Sequence, residues 1–381
     1  MKFQTIYFVA GEVSADNHGA ALMRSLRKLD GELNFVGRGG PQMQEVAGER
    51  FKNWIGEAAV LGLWEVVRKY GYFREQFHET LREIRESKPD AVVLIDYPGF
   101  NLRLARALRG QARQQKIIYY ISPQVWAWNR GRIKRMAHFI DLVLCIFPFE
   151  VDLYNQAGLR ALFVGHPMIE RLWARKIDTE RDRNLIGIFP GSRSREVRKI
   201  FPVMLEVARE LRKHNPNLRF EVAAASEQLA REMKPAIAGL DQSQKREAIQ
   251  IKIDETAAIM QHAWAGIIAS GSATLEAAFF RLPFVLIYKV AWPTYVAARL
   301  VVNVKYLGMP NLLANKEVVP EFIQHRAKPN AIVEALQPLI ENANARERMI
   351  SEFDAMVPQL GDIGASERAA RAIIEEIKSA T

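Results

Sequence analysis

The stretch Leu185-Ile-Gly-Ile-Phe-Pro-Gly-Ser-Arg193 decides the fold of the second half of the chain. An apolar run ends there at a turn of small residues, and a helical pattern begins directly after it. Glycine lets an anion approach the backbone at such a turn, and the unpaired N–H groups of the first helical turn point towards the anion. The stretch therefore predicts a strand, a phosphate-binding turn and a helix.

Two further stretches have the same order of strand, small-residue turn and helix. Ala265-Gly-Ile-Ile-Ala-Ser-Gly-Ser-Ala-Thr-Leu-Glu276 lies in the second half, and Thr5-Ile-Tyr-Phe-Val-Ala10 runs into Gly11-Glu-Val-Ser-Ala-Asp16 near the start. Apolar runs alternate with amphipathic segments elsewhere, which is typical of parallel sheets covered by helices. We therefore predict an α/β protein with two nucleotide-binding halves, each built on its own parallel sheet.

The boundaries of the elements follow from the same patterns. Strands are predicted near residues 4–10, 33–37, 91–95, 116–120, 142–146, 161–164, 185–189, 218–224, 266–269 and 284–288. An amphipathic helix is expected from about 195 to 213, because its apolar residues form one stripe. The predicted domains are an acceptor domain over 1–168, a nucleotide-binding domain over 169–360, and a terminal helix over 361–381 that docks on a domain surface.

Composition restricts the class of protein. The chain has 381 residues, of which 49% are hydrophobic and 25% are charged, and this length fits two domains. It has one cysteine, Cys145, so a disulfide within the chain is excluded. We predict that this thiol is buried in the core. We predict no metal site and no cofactor, because the histidines are scattered, no glycine turn is followed by a Walker lysine, and Gly37-Arg-Gly-Gly40 lacks the acidic residue of a dinucleotide site.

The net charge of +10 predicts an anionic partner. Ala277–Lys316 contains no Asp or Glu and many apolar and basic residues, which suits a lipid headgroup surface. Val60–Arg74 is a second candidate, although ordinary core elements with snorkelling cations explain both segments equally well. Nucleic acid is not expected, since no recognition motif is present. The first apolar run is read as a strand rather than a signal peptide, and no run is long enough to span a bilayer, so a cytoplasmic location is predicted.

Candidate binding residues follow the predicted strands of the second half, because open parallel sheets bind ligands at the carboxyl ends of their strands. They are Gly191, Ser192 and Arg193 after one strand, and Ser270, Gly271, Ser272, Ala273 and Thr274 after another. Arg193 is expected to hold a pyrophosphate, whereas Arg195, Arg198 and Lys199 are read as a solvated helix face. Two roles fit Glu276 equally well. It could bind a ribose, or it could only interact favourably with the dipole of the predicted helix near whose start it lies.

In the first half, Asp96 ends the run Ala91-Val-Val-Leu-Ile95 and precedes Tyr97-Pro-Gly-Phe-Asn101. A carboxylate held at a strand end is a candidate general base, although an Asp before a Pro-Gly pair commonly only starts a turn. Ser122-Pro-Gln-Val-Trp-Ala-Trp-Asn129 offers two indoles and the Gln124 carboxamide to the same edge. The cations Arg130, Arg132, Lys134 and Arg135 that follow fit either a phosphate site or a solvated face.

Eight motifs together closely resemble the lipid-A-disaccharide synthase family, in an order and spacing that match over almost the whole chain. They are Gly11-Glu-Val-Ser-Ala-Asp16, Asp96-Tyr-Pro-Gly-Phe-Asn101, Ser122-Pro-Gln-Val-Trp-Ala-Trp128, Phe147-Pro-Phe-Glu150, Val164-Gly-His-Pro167, Pro190-Gly-Ser-Arg193, Ser270-Gly-Ser-Ala-Thr274 and Pro310-Asn-Leu-Leu-Ala314. The resemblance implies a GT-B fold, with two Rossmann-like domains and an active site between them. It also implies a homodimer that works on the inner face of the inner membrane.

The resemblance implies a reaction and a set of roles. The reaction is an inverting transfer of 2,3-diacylglucosamine from UDP to the 6-hydroxyl of 2,3-diacylglucosamine 1-phosphate, without a metal ion. UDP is expected at Arg193 and Ser270–Thr274, with Glu276 at the ribose and Asn311 closing from the side. Asp96 is expected to be the base. Acceptor-side or substrate contacts are expected from Glu12, Ser14, Asp16, Asn101 and Gln124.

One position departs from the family pattern. Ala15 stands where the family usually has glycine, and its methyl group would crowd a backbone that approaches a ligand or takes a positive φ angle. Two rival functions remain open. The first is another UDP-sugar enzyme of the same fold, such as a non-hydrolysing UDP-GlcNAc 2-epimerase, and the second is a basic membrane or nucleic-acid scaffold.

Overall fold

The computed structural model describes residues 4–55, 70–110, 115–123, 131–238, 248–292, 295–296 and 305–379. The chain divides into two compact units. The first contains residues 1–170 together with 360–381, and the second contains residues 171–359. None of the described helices combines the length and the hydropathy that crossing a bilayer requires.

The first unit is built on a parallel sheet of seven described strands in the order β3-β2-β1-β4-β5-β6-β7. The strands are β1 (Thr5–Ala10), β2 (Asn34–Gly39), β3 (Phe51–Asn53), β4 (Ala91–Ile95), β5 (Lys116–Tyr120), β6 (Leu142–Cys145) and β7 (Ala161–Phe163). The helices are α1 (Val13–Leu29), α2 (Pro41–Ala47), α3 (Tyr70–Ser87), α4 (Pro98–Arg109), α5 (Gly131–Met136), α6 (Pro148–Asn155) and α7 (Met168–Ala174), the last of which continues into the second unit.

The second unit is built on a parallel sheet of six described strands in the order β10-β9-β8-β11-β12-β13. The strands are β8 (Asp182–Phe189), β9 (Arg219–Ala224), β10 (Ile249–Ile253), β11 (Ala263–Ala269), β12 (Phe284–Tyr288) and β13 (Glu321–Ile323). The helices are α8 (Ser194–His214), α9 (Glu227–Ala238), α10 (Thr256–His262), α11 (Ala273–Phe279), α12 (Met309–Ala314), α13 (Pro329–Glu341) and α14 (Ala343–Met356).

The last helix, α15 (Ala365–Lys378), belongs to the first unit. Its apolar face, which includes Ala369, Ile373 and Ile377, lies in the same core cluster as Ile6 and Phe8 of β1. The side chain of Glu376 is almost fully buried and accepts hydrogen bonds from Lys116 and Arg160, at 2.8 and 2.5 Å. The chain therefore returns after residue 359 to complete the core of the unit in which it began.

Each sheet reverses its strand order at one place. In the first sheet the chain moves outwards from β1 to β2 and β3, and β4 lies on the opposite side of β1. The second sheet repeats this arrangement, with β9 and β10 on one side of β8 and β11 on the other. A crevice forms at such a switch point, because the loops after the two central strands leave in opposite directions. The loops after β1, β4, β8 and β11 are therefore the places to search for ligand sites.

A buried network of charges fixes α3 to the first sheet. Arg38 of β2 is 1% exposed, and its guanidinium lies 2.6 Å from Glu83 and 2.9 Å from Glu79 of α3. Tyr7 of β1 donates to the same Glu83 at 2.6 Å. Hydrogen bonds from Lys52 and from Arg38 lower the pKa of Glu79 to about 2. Burial opposes the ionisation of Glu83, but hydrogen bonds from Arg38, Lys52 and Tyr7 lower its pKa overall. Both carboxylates are thus ionised at neutral pH; Arg38 is the buried cation that compensates them, and the more exposed Lys52 also pairs with both.

We expect Arg38→Met to lower the free energy of unfolding by about 3–5 kcal/mol, because it leaves Glu79 and Glu83 without their buried partner. Urea denaturation at neutral pH measures the loss. The control is Arg82→Met on α3, whose side chain is 66% exposed and which should change stability by no more than about 0.5 kcal/mol. Equal, small losses in the two variants would show that the buried network does not stabilise the unit.

Candidate functional site

The turns after β8 and β11 lie side by side at the switch point of the second sheet. The two strands are paired in parallel, with Phe189 opposite Ile268. A Cβ atom added to Gly191 would lie 3.7 Å from the Cβ of Ala269, so the turn after β8 lies against the end of β11, where the second turn begins. Gly191 has φ +99° and Gly271 has φ +150°, conformations that side chains rarely adopt. Glycine is therefore required in both turns for the backbone to take its path.

Arg193 is the residue before the first turn of α8, a helix of 21 residues. Its side chain is 63% exposed, and its Nη1 lies 3.3 Å from Oε1 of Glu196. An exposed ion pair of this kind contributes little free energy, so the guanidinium can change partners at small cost. The N–H groups of the first turn of α8 add the positive end of the helix dipole beside it. This end of α8 is suited to a diphosphate.

The other cations on α8 have a different arrangement. Glu232 of α9 accepts a hydrogen bond from Ser194 Oγ at 2.5 Å and another from Arg198 Nε at 3.1 Å. The Arg198 side chain is 70% exposed, as expected for a solvated face. Glu232 therefore neutralises one cation of this face and fixes the hydroxyl at the start of α8.

The residues of the turn after β11 differ in their exposure to solvent. Gly271 and Ser272 are exposed, whereas Thr274 is fully buried and its hydroxyl donates to the carbonyl of Gly271 at 2.7 Å. The Thr274 side chain thus stabilises the turn and is not free to bind a ligand. Glu276 forms an ion pair with Arg171 of α7 at 2.9 Å and retains a 13% exposed side chain. No pattern in the sequence indicates that partner, because it lies more than a hundred residues earlier.

The expectation that Asn311 closes directly over a nucleotide needs correction. Its side chain is fully buried, and the amide nitrogen donates to the carbonyl of Val319 and to Glu321, both at 2.8 Å. Its oxygen accepts from the N–H groups of Val318 and Val319, at 2.7 and 2.8 Å. All of its polar atoms are used within the unit, so Asn311 supports the segment around it and does not contact a ligand.

Two acidic residues lie at the switch point of the first sheet. Glu12 follows β1 and is exposed, and Asp96 follows β4 and is partly buried. Burial, with a contribution from the charge of Glu12, raises the pKa of Asp96 to about 6. A carboxyl group whose pKa is raised by burial and by a neighbouring carboxylate, at a ligand-binding edge, is typical of a catalytic acid or base. Ser14 is exposed in the first turn of α1 beside them.

Asp16 and Asn101 were expected to shape the acceptor side, but both are buried. The Asp16 carboxylate accepts hydrogen bonds from the N–H groups of Gly40, Gln42 and Met43 at 2.9–3.0 Å, so it fixes the turn into α2. The Asn101 amide donates to the main-chain carbonyls of Ile95 and Asp96, at 3.2 and 2.8 Å. Both side chains hold backbone in place, and direct contact with a substrate is not available to either.

The alanine that departs from the family pattern causes no strain. Ala15 lies inside α1, is 1% exposed and packs into the core of the first unit. It is not among the described residues with a positive φ angle. The concern that its methyl group crowds an irregular backbone therefore does not apply, because the backbone there is helical.

Several predicted site residues lie outside the described residues. They are Gln124, both indoles of residues 126 and 128, Asn129 and Arg130, together with 60–69 of the candidate membrane segment Val60–Arg74 and 293–294 and 297–304 of the candidate segment Ala277–Lys316. Cys145, by contrast, is described and buried at the end of β6, and burial raises the pKa of its thiol. A core role therefore fits it, as the sequence predicts.

The raised pKa of Asp96 predicts how activity depends on pH. A general base must be ionised, and the carboxyl group loses its proton as the pH rises through about 6. We expect kcat/KM to increase with pH up to a plateau above neutrality, with the midpoint of the acid limb near pH 6. Initial rates across about pH 3.5–8.5, which is about 2.5 units on either side of that midpoint, would measure the limb. A limb near pH 4 would show that Asp96 is not the titrating group.

Comparison with known proteins agrees with this geometry. The model of the family described as lipid-A-disaccharide synthetase matches residues 6–373. The lipid-A-disaccharide synthase of Geobacter sulfurreducens is 37% identical over 380 residues, covering 97% of this chain and 96% of that one.

Solved structures with the same fold are more distant in sequence. A UDP-GlcNAc 2-epimerase from Neisseria meningitidis, bound to UDP-GlcNAc, has a TM-score of 0.60 at 14% identity and covers all of both chains. The calicheamicin glycosyltransferase has a TM-score of 0.58 at 14% identity, with 99% of each chain covered. These likenesses show the fold, two Rossmann-like α/β domains of the type found in GT-B glycosyltransferases and related epimerases. The family match shows more: the chain belongs to the lipid-A-disaccharide synthase family, glycosyltransferases of lipid A biosynthesis.

Proposed function

We propose that the chain transfers 2,3-diacylglucosamine from UDP to the 6-hydroxyl of 2,3-diacylglucosamine 1-phosphate, with inversion at the anomeric carbon. The observation that carries this proposal is the pair of switch-point sites. One sheet presents glycine turns, a helix start and an exposed arginine, and the other presents a partly buried carboxyl group with a raised pKa. The first set suits a nucleoside diphosphate, and the second suits removal of a proton from a hydroxyl group.

The donor side stabilises the leaving group. As the bond between the anomeric carbon and the phosphate oxygen breaks, negative charge develops on UDP. In this proposal the exposed Arg193 guanidinium and the N–H groups at the start of α8 stabilise that charge. Ser192, Ser270, Ser272 and the main chain of Ala273 complete the proposed contacts with the nucleotide. Glu276 can still accept from a ribose hydroxyl, because Arg171 bonds to only one of its two oxygens in the structure.

The acceptor side supplies the base. Asp96 takes the proton of the 6-hydroxyl as the oxygen forms its bond to the anomeric carbon, and a single displacement of this kind inverts the configuration. Glu12 carries a like charge beside Asp96, which favours uptake of the proton by Asp96. Glu12 and Ser14 are exposed and remain the proposed acceptor contacts of this loop.

We further propose that the acyl groups of the substrates require the protein to bind an anionic membrane surface, at the cytoplasmic face of the inner membrane. Trp292 is 63% exposed and stacks on Tyr295, with ring centroids 5.4 Å apart, and Val296 is 46% exposed. These residues lie in the segment that has no acidic residue. Exposed aromatic rings with basic neighbours are typical of contact with lipid headgroups.

The test is a direct assay of product. Purified protein is mixed with UDP-2,3-diacylglucosamine and 2,3-diacylglucosamine 1-phosphate in mixed micelles, and both UDP and the disaccharide 1-phosphate are quantified. Equal amounts of the two products support the proposal. Release of UDP without disaccharide would refute the proposal. Interconversion of UDP-GlcNAc with its 2-epimer, assayed in parallel, would favour the epimerase. Co-sedimentation with anionic vesicles, compared with neutral ones, tests the membrane surface.

A further inference from the structure

The backbone at Asp96 has a conformation that the sequence does not favour. Asp96 has φ +47° and Tyr97 has φ +49°, so two consecutive residues with side chains are left-handed. A Cβ atom disfavours this region, and such residues persist only where their surroundings hold them. They also direct the chain from β4 into α4, whose first residue is Pro98. The position of the Asp96 side chain therefore depends on what holds this turn.

Two buried side chains hold the turn through one atom. The main-chain carbonyl oxygen of Asp96 accepts a hydrogen bond from the Tyr119 hydroxyl and another from the Asn101 amide, the latter at 2.8 Å. Tyr119 of β5 and Asn101 of α4 are both fully buried. The Asp96 N–H completes the arrangement by donating to the carbonyl of Tyr120 at 3.1 Å. Both main-chain groups of Asp96 are thus bonded to buried parts of the first unit.

The left-handed turn also requires Gly11. A Cβ atom added to Gly11 would lie 2.5 Å from the ring of Tyr97, which no real side chain tolerates. The Tyr97 ring therefore packs directly on the backbone that leads to Glu12, and it makes an edge contact with Trp54 at 6.2 Å between centroids. The packing of Tyr97 connects the turn after β4 to the turn after β1, the two loops of this switch point.

We propose that Tyr119 and Asn101 are positioning residues for the transfer reaction, and that they act by holding the Asp96 carbonyl so that the carboxylate stays in its partly buried place. This inference rests on the proposed function, because it assigns Asp96 the role of base. Neither side chain needs to touch a substrate. The charged groups that act on this cluster are Glu12, on Asp96, and Arg132 of α5, on Tyr119.

The variant that tests the inference is Tyr119→Phe, which removes one donor and keeps the ring. Its matched control is Tyr120→Phe, because Tyr120 is equally buried on the same strand but its ring lies in the other core cluster, on the opposite face of the sheet. We expect Tyr119→Phe to lower kcat about tenfold and to change KM for either substrate less than about twofold. Tyr120→Phe should change neither by more than about twofold.

A second measurement needs no turnover and so separates this inference from the proposed function. Carbon-13 NMR of labelled aspartate carboxyl groups follows the titration of Asp96, with the signal assigned by its loss in Asp96→Asn. The wild type should titrate near pH 6. In Tyr119→Phe the turn is no longer held, so the Asp96 carboxylate reaches water and the midpoint of its titration should fall by about one pH unit. In Tyr120→Phe that midpoint should be unchanged.

The outcomes divide as follows. A lower midpoint and lower kcat in Tyr119→Phe alone support the inference. An unchanged midpoint in a folded Tyr119→Phe, or equal losses in both tyrosine variants, would overturn it. If Tyr119→Phe does not fold, Asn101→Ala undergoes the same two measurements and decides. If the wild type forms no disaccharide but the variants show the expected NMR effects, the proposed function is refuted. The inference that Tyr119 and Asn101 hold Asp96 in place then still stands.

Discussion

Replacing Asp96 by asparagine is expected to lower turnover by about 10²–10⁴-fold, because an amide cannot accept the proton of the attacking hydroxyl. Binding of UDP should change less than about twofold, since Asp96 lies in the first unit and the proposed nucleotide turns lie in the second. Disaccharide formation and calorimetric titration with UDP measure the two effects separately. The control is Asp152→Asn, an exposed carboxylate on α6 of the same unit, which should retain full activity.

The stability of Asp96→Asn shows whether lost activity reflects lost structure. The pKa of Asp96 is about 6 in the folded chain and 3.8 in its ordinary state. The native state therefore disfavours the ionised form, and the stability associated with this group declines as the pH rises from about 4 to about 6. Above that range the uncharged asparagine should unfold at a temperature equal to or higher than the wild type. Near-normal turnover in the folded variant would show that Asp96 only starts a turn.

Replacing Arg193 by alanine is expected to weaken UDP binding by about 10–100-fold, the amount that one or two charge-assisted hydrogen bonds to a diphosphate contribute. The loss of kcat/KM should be at least as large, because the same guanidinium also stabilises the departing charge. Arg193→Lys should recover part of the binding, since lysine restores the charge without the paired donors.

The control for Arg193 is Arg209→Ala, which removes a cation that is also more than half exposed and lies about four turns further along α8. If the two alanine variants weaken UDP equally, the effect comes from net charge and not from a contact. Salt distinguishes the two explanations further, because a long-range effect is screened at high ionic strength and a direct bidentate contact much less so.

The sequence predicted the sheets well where strands are central and apolar. Runs such as 91–95 and 284–288 contain only apolar residues and one tyrosine, and both are strands with those bounds. The short edge strands β3 and β13 were not predicted, because three residues with mixed polarity give no period. Strand β10 was not predicted either, although its sequence indicates a strand, since Ile249, Ile251 and Ile253 alternate with polar residues.

The candidate site was predictable in its loops but not in the roles of their side chains. The family resemblance implied that Asp16, Asn101 and Asn311 lie beside a ligand, yet each is buried and bonded to the main chain. A polar residue in a motif has two physical uses, to touch a ligand or to fix the backbone that does, and sequence alone does not distinguish them. Tyr119 was missed for the same reason, because in sequence it is one of two tyrosines at the end of an ordinary strand.

The central claim is that the switch-point turns of the second unit bind the UDP of the donor. A crystal structure of the chain with UDP tests it most directly. We predict diphosphate density within hydrogen-bond distance of the Arg193 guanidinium and of the main-chain N–H groups of residues 191–194 and 271–273. Density at another place, or no density at millimolar UDP, would contradict the account.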